Sequence, residues 1–386
     1  MRSFSHGSTA ECRLGWLAAA MLSLTFAFVG QARAEGLTKA AARPLGDQLL
    51  FPPPPLPGAD DLSFPEDIVD KSGPGEDDKS GGAPRQDDDH QLWLVNTRSL
   101  PHSSRDSGQA SLAIRRYRQG AGWADASLEE LTASDSPQFV TSVLVHGNDT
   151  DSRLAVSKGW EVYRSLVRKA PAGQRVRLIV WSWPSDHIPG RFRDDARIKA
   201  QRTNIEAYYL ARFLDRQRGD NPVSLVGYSF GARVITGALH LLGGGVLEGR
   251  RLGQREQYPR PPLHAVLMAA ALDRDWLLPG RQHGFALSAV ERMVVLVNPQ
   301  DRVLKWYRFL SPRKDDQALG ATGLGADRRL GAHRKKVVEV NVSDAVGNKH
   351  GWTTYINSPT IVQRLHQEAL VEPARQSLTR SQAGGS

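Results

Sequence analysis

The sequence predicts an α/β protein in which a mostly parallel sheet of about eight strands carries helices on both faces. Short runs of apolar and β-branched residues recur from Leu92 onward, and amphipathic stretches separate them. Strands that alternate with helices in this way form parallel sheets, and the helices cover both faces. The composition, 40% hydrophobic and 24% charged, excludes a wholly disordered chain and a polytopic membrane protein.

Apolar periodicity places the individual elements. A long helix is predicted between the fourth and fifth strands, because Ile205, Tyr209 and Phe213 recur every four residues and therefore share one helix face. The eight strands are predicted at Leu92–Asn96, Leu112–Tyr117, Val140–Val145, Val176–Trp181, Val223–Val226, His264–Ala269, Met293–Val297 and Val337–Val342, with further helices at Ser152–Arg168, after Ser229 and from Ser358-Pro359.

The amino terminus has the pattern of a secretory signal peptide. Arg2 and Arg13 precede an uncharged run from Leu14 to Ala32, and Ala32-Arg33-Ala34 supplies small residues around a cleavage site. We therefore predict a signal peptide over residues 1–34 and an exported protein, periplasmic or secreted. The alternative is an uncleaved membrane anchor, since the uncharged run could just span a bilayer.

Residues 35–89 are predicted to be a disordered linker. They show no apolar periodicity, contain four consecutive prolines from Pro52, and carry eleven acidic and three basic side chains between residues 59 and 89. The predicted folded domain covers residues 90–372, and a polar, disordered tail is predicted at 373–386. Cys12 is the only cysteine, which excludes intramolecular disulfides and thiolate clusters.

A candidate nucleophile lies at the end of the fifth strand. Gly227-Tyr228-Ser229-Phe230-Gly231 places Gly-x-Ser-x-Gly between a strand and a helix, the context in which a serine hydroxyl is raised above a sheet. Small residues on either side are needed because the turn is strained. The N–H of Phe230, the residue after the serine, is the first predicted donor to an oxyanion.

The third strand ends in a second glycine-containing turn. His146-Gly147-Asn148 follows that strand, and the second oxyanion donor of an acyl-transfer serine usually comes from this loop. We assign it to Asn148, with Gly147 as the competitor. His146 is expected to orient the loop rather than to transfer protons.

These motifs resemble the α/β-hydrolase superfamily. Val-His-Gly-Asn ends at Asn148, Ser-Trp-Pro-Ser covers residues 182–185, and Gly-Tyr-Ser-Phe-Gly surrounds Ser229. More narrowly, the chain is similar to poorly characterised bacterial esterase/lipase-like proteins with a Ser-Trp-Pro-Ser segment, which often have His where this chain has Tyr228. The resemblance implies a Ser, Asp, His triad in that order, with no metal or organic cofactor. Residues 272–292 leave no room for a large cap domain.

The other two triad members are expected after the seventh and eighth strands. Asp301 follows the seventh strand, and its rivals Asp273 and Asp275 follow the sixth. His350 lies in a turn-rich loop after the eighth strand, before the final helix. The poorer candidates for the base are His333, His366, His283 and His264.

Four residues are candidates for substrate contact. Gly147 and Tyr228 flank the catalytic turns, while Trp181 and Trp183 leave the fourth strand where the cleft should open. Ordinary packing beneath the long helix is the alternative for both tryptophans. The predicted substrate is a small-molecule or lipid ester.

The net charge and the predicted fold also allow other interpretations of the function. The net charge is +9, and because residues 59–89 are acidic the positive excess falls on the catalytic body. Such a surface would attract an anionic envelope component, but no nucleic-acid module is present and nucleic acid is not a predicted partner. The main prediction is a serine hydrolase acting on esters. The alternative is a non-catalytic module that binds an anionic envelope component on the same scaffold.

Overall fold

The described residues begin at the predicted catalytic domain. The computed structural model describes residues 90–101, 112–189, 192–253, 260–307 and 316–371. The predicted signal peptide, acidic linker and carboxyl-terminal tail lie outside the described residues and stay predictions.

A nine-stranded sheet forms the centre of the structure. Its spatial order is β3-β2-β1-β5-β4-β6-β7-β8-β9. Only β2 runs in the direction opposite to the other eight strands. The strands are β1 (Gln91–Asn96), β2 (Ala113–Arg118), β3 (Gly122–Ala126), β4 (Phe139–Val145), β5 (Arg175–Ser182), β6 (Val223–Tyr228), β7 (Leu263–Met268), β8 (Arg292–Val297) and β9 (Val337–Asn341).

The predicted fold class is confirmed, with one strand more than expected. All eight predicted strands are present, with their bounds shifted by one or two residues. The additional strand, β3, forms a hairpin with β2 at the sheet edge. Gly120 and Gly122 both adopt positive φ in the turn between them. The short Gly-Trp-Ala-Asp-Ala segment lacks the apolar run that identified the other strands.

The described residues contain ten α-helices, which lie between the strands or follow β9. They are α1 (Leu128–Ala133), α2 (Ser152–Lys169), α3 (Phe192–Arg216), α4 (Phe230–Leu242), α5 (Ala286–Ala289), α6 (Arg302–Lys305), α7 (Leu319–Thr322), α8 (Ser343–Val346), α9 (Trp352–Ile356) and α10 (Pro359–His366). A 3₁₀ segment at Arg328–Lys336 precedes β9, and a π-helical turn at Gln367–Val371 follows α10.

Alternate strand residues pack into two cores, one on each face of the sheet. In β1, Trp93 and Val95 belong to the core covered by α3 and α4. Leu92 and Leu94 point the other way, into the core covered by α2 and α10. This period of two is the geometry of a strand buried on both faces.

The carboxyl ends of the parallel strands gather several loops at one edge of the sheet. The loops after β4, β5, β6, β7, β8 and β9 all start there, where sites of open α/β sheets lie. Residues 269–291, which join β7 to β8, contain only the four-residue helix α5 and no cap domain. Within the described part of the chain, no helix has both the length and the apolar character needed to cross a membrane.

Candidate active site

Ser229 occupies a strained turn between β6 and α4. Its backbone has φ 53° and ψ −115°, a conformation that residues other than glycine rarely adopt. The flanking glycines make the turn possible. A Cβ on Gly227 would lie 2.8 Å from the Cα and N of Ala232, and a Cβ on Gly231 would overlap the carbonyl oxygen of Val145. The predicted nucleophile turn is therefore present, with its two glycines sterically required.

Ser229, His350 and Asp301 form one hydrogen-bonded row. The Oγ of Ser229 lies 3.1 Å from Nε2 of His350, and Nδ1 of the same ring lies 2.8 Å from Oδ2 of Asp301. Asp301 is fully buried, and its other oxygen, Oδ1, accepts a hydrogen bond from the backbone N–H of Leu304 at 3.0 Å. The structure thus brings together the three residues that the sequence singled out, in an order in which the imidazole can take the serine proton and the carboxylate can orient the ring.

Asn298, to which the sequence analysis gave no role, joins the loops that carry Asp301 and His350. It is fully buried, and its Nδ2 donates to the carbonyl of Gly347 at 2.8 Å. Its Oδ1 accepts from the hydroxyl of Ser343 at 3.1 Å. Because one amide holds the loops after β8 and β9, it fixes the separation of the carboxylate and the imidazole. The only signal in the sequence was its place directly after a buried strand.

Tyr228 holds the histidine loop instead of presenting its ring to solvent. Its hydroxyl donates to the backbone carbonyl of His350, and its buried ring packs edge-on against Trp352, with 5.3 Å between ring centroids. Burial raises the pKa of Tyr228, and nearby Tyr355 adds to that rise, so the hydroxyl keeps its proton and remains a donor. Tyr228, the residue before Ser229, therefore fixes the position of the His350 loop.

The peptide between Gly147 and Asn148 lies beside the nucleophile. A Cβ on Gly147 would sit 3.0 Å from the Cβ of Ser229. The carbonyl of Gly147 accepts from Ser185 Oγ at 3.0 Å and faces His146 Nδ1 at 2.9 Å. In a trans peptide the following N–H points the opposite way, and the Asn148 N–H has no acceptor among the described residues. The Asn148 N–H is therefore available to donate to an oxyanion, and its assignment over Gly147 stays a prediction.

A buried lysine supports the same loop. Lys158 of α2 donates through Nζ to the hydroxyl of Thr150 at 2.8 Å, and that hydroxyl donates to the carbonyl of Asn148 at 3.2 Å. Burial lowers the pKa of Lys158 to about 8. The sequence analysis assigned no role to Lys158 or Ser185, although Lys158 reaches Thr150 from the following helix and Ser185 reaches Gly147 from the loop after β5.

His146 is a structural residue in this loop. It is buried, and its Nε2 accepts the backbone N–H of Trp183 at 3.2 Å. Burial lowers the pKa of His146 well below its ordinary value, and the charge of Arg98 adds to the effect, so the ring stays neutral. These contacts agree with the orienting role expected from sequence.

Trp181 and Trp183 are both fully buried. Trp181 packs against Phe213 of α3, and Trp183 donates its Nε1–H to the carbonyl of His146 at 2.8 Å. Neither ring forms an exposed cleft wall. Of the two interpretations that the sequence left open, the packing one describes them.

The rival residues lie in other environments. Asp275 pairs with Arg281 at 3.2 Å, and Asp273 faces Tyr307. Among the histidines, His366 contacts Ser165, His283 contacts Thr236, and His264 is buried within β7. In the described ranges, no group of three or more His, Cys, Asp or Glu side chains is placed to hold a metal ion.

The similarity of this chain to individual known proteins is distant. No curated protein matches the chain in sequence. Esterase B from Lactobacillus rhamnosis, solved with a tributyrin phosphonate inhibitor, aligns over 76% of this chain and 88% of its own, at 12% identity and a TM-score of 0.38. A bifunctional GH43-CE protein from Bacteroides eggerthii aligns over 63% of this chain and 34% of its own, at 14% identity and a TM-score of 0.33.

Those TM-scores are too low for details of either structure to be transferred. The sequence profile of the alpha/beta hydrolase family, by contrast, matches residues 143–379, which is more than half of the chain. This range contains Ser229, Asp301 and His350, the residues that the fold brings into one row. The chain belongs to the alpha/beta hydrolase family.

Proposed function

We propose that the protein is a serine hydrolase that cleaves acyl esters through an acyl-enzyme intermediate. The observation that carries this proposal is the row from Ser229 Oγ through His350 to Asp301, with distances of 3.1 Å and 2.8 Å. A serine hydroxyl is a weak nucleophile unless an adjacent base takes its proton. Here the base and the group that orients it are both within hydrogen-bond reach.

In the first step, Ser229 Oγ attacks the ester carbonyl carbon while His350 Nε2 takes the hydroxyl proton. The bond to the alcohol then breaks, and His350 returns that proton to the leaving oxygen. A water molecule, deprotonated by the same nitrogen, attacks the acyl-enzyme and releases the carboxylic acid. Throughout, Asp301 fixes the imidazole with Nε2 toward the serine and stabilises the imidazolium.

The negative oxygen formed in each attack needs donors that are already in place. Phe230 begins α4, and the first N–H groups of a helix have no partner within it. The Asn148 N–H lies on the peptide held by Ser185 and His146 beside the nucleophile. We propose these two N–H groups as the oxyanion hole, which would stabilise the transition state electrostatically.

Labelling with a fluorophosphonate probe tests whether Ser229 is activated. The wild-type protein should be labelled and should hydrolyse 4-nitrophenyl esters, whereas Ser229→Ala should do neither. Ser224→Ala is the matched control, because Ser224 lies on β6, the strand that leads into the Ser229 turn, and its hydroxyl donates to the distant carbonyl of Glu368. A Ser229→Ala protein that melts like the parent and still turns over esters would refute the mechanism. An unlabelled, inactive wild type would favour a binding module.

We also propose that the protein is exported. The support is the basic start, the uncharged run from Leu14 to Ala32 and the small-residue exit at Ala34. Amino-terminal sequencing of the exported protein should begin at Glu35. Recovery of the intact amino terminus in a membrane fraction would instead identify an uncleaved anchor.

A further inference from the structure

Arg233 lies one helical turn beyond Ser229 on α4. Its guanidinium carbon is 4.4 Å from the ring centroid of Trp276 and 5.9 Å from that of Phe230. Side chains on a helix lean toward its amino end, which here is the end that carries the nucleophile. The two rings therefore hold a cation beside the residue whose N–H is proposed for the oxyanion hole.

Among the described residues, the Arg233 guanidinium has no hydrogen-bond partner. Its Nε–H is buried without an acceptor, and no side-chain hydrogen bond or ion pair joins Arg233 to the rest of the described structure. The buried Arg177 shows the usual arrangement, since it donates to Thr141 and Leu131 and pairs with Asp135. A guanidinium has five donors and no acceptor, so only an anion or another acceptor can satisfy it.

Within the described ranges, no acidic side chain forms an ion pair with Arg233. Asp273 acts on it electrostatically without forming an ion pair, and burial, together with the charge of Asp316, raises the pKa of the Asp273 carboxyl. His283 also faces Arg233. Burial, and then the charge of Arg233 itself, lowers the pKa of His283 well below its ordinary value, so this ring is neutral. The positive charge of Arg233 therefore lies beside the ring of Phe230, the residue that follows Ser229.

We propose that Arg233 binds an anionic group of the substrate, so that the preferred esters carry a carboxylate or phosphate in addition to the ester that is cleaved. This inference rests on the proposed hydrolase function and adds the substrate class to it. A planar guanidinium recognises a carboxylate or phosphate through two parallel N–H bonds, which suits a group that enters from solvent.

Two matched ester pairs test the proposal. In one pair the charge is on the acyl part, with mono-4-nitrophenyl glutarate against 4-nitrophenyl pentanoate. In the other it is on the alcohol part, with 3-carboxyphenyl acetate against phenyl acetate. The wild-type kcat/KM should favour the acidic ester by about tenfold or more in at least one pair, the size expected for hydrogen bonds to a charged group.

Variants then assign the preference to Arg233. R233Q should abolish the preference and R233K should keep part of it, because lysine retains the charge but not the planar fork. Arg164→Gln is the control, since its guanidinium also stacks on a tryptophan, Trp160 at 5.4 Å, but on α2. Its ratios should match the wild type.

The outcomes separate this inference from the proposed function. A wild type that shows no preference in either pair, a preference that R233Q retains, or equal losses on acidic and neutral esters would overturn the role of Arg233. In each case, hydrolysis of the neutral esters that depends on Ser229 would leave the hydrolase proposal standing. If the wild type shows no Ser229-dependent hydrolysis of any ester, both the hydrolase proposal and the role of Arg233 are overturned.

Discussion

Replacing Asp301 by asparagine should remove most activity with little loss of stability. Oδ1 of Asp301 accepts from the Leu304 N–H, so the amide oxygen of the new side chain must take that position. The amide NH₂ then replaces Oδ2 and faces His350 Nδ1. A donor at this point forces Nδ1 to accept, which leaves the ring proton on Nε2, opposite Ser229. The base would then hold a proton where it must take one.

The expected loss in kcat is about 10⁴-fold, the value known for a triad with the wrong tautomer, or about 5 kcal/mol in the barrier. Both hydrogen bonds of the side chain survive in altered form, so the melting temperature should stay within a few degrees of the parent. Initial rates with a 4-nitrophenyl ester, together with thermal melts, measure the two quantities.

Asp273→Asn is the matched comparison, because it makes the same small change in the rival buried carboxylate. It should lower kcat less than about tenfold, since Asp273 has no contact with the Ser229–His350–Asp301 row. An Asp301→Asn enzyme within tenfold of wild type, combined with an inactive but folded Asp273→Asn, would show that the acid lies after β7 and that the reasoning is wrong.

Three further predictions concern the surroundings of this row. Gly231→Ala should destabilise the fold by about 3 kcal/mol or more, since the new methyl group meets backbone, whereas Gly253→Ala, with open space around it, should change the melt little. Tyr228→Phe should lower kcat about tenfold while KM holds, because the carbonyl of His350 loses its donor. For Lys158→Met, thermal melts at a series of pH values should show that the wild type gains stability relative to the variant as the pH rises above about 8. The reason is that Lys158 loses its proton at a lower pH in the folded state than in the unfolded state, so raising the pH favours the folded wild type.

The candidate site residues could be predicted because each lies in a loop that follows a strand. Ser229, Asp301 and His350 were identified from apolar runs and the turn residues after them, and parallel strands bring such positions to one edge. The order of the strands along the chain was enough to predict that these residues lie near one another, because right-handed crossover connections leave few possible sheet topologies.

The contacts that orient these residues could not be predicted in the same way. The Tyr228 hydroxyl reaches a carbonyl 122 positions away, and Ser185 reaches Gly147 across 38. Nothing local marks either pair. Trp181 shows the same limit. An aromatic residue at the end of a strand can equally well line a cleft or pack in the core, and only the position of the covering helix, here the contact with Phe213, decides between them.

Under the proposed mechanism, the order of Ser229, Asp301 and His350 along the chain would keep the protein inactive while it is being synthesised. Ser229 is made first and His350 last, 121 positions later and beyond β9, the strand at one border of the sheet. A nascent chain that has already formed the serine turn still has no base. Catalytic competence therefore arises only when β9 docks on β8, and a fragment ending before Val337 would carry the strained serine as an inert feature. Ester hydrolysis by a newly made molecule would thus show that β9 has been added to the sheet.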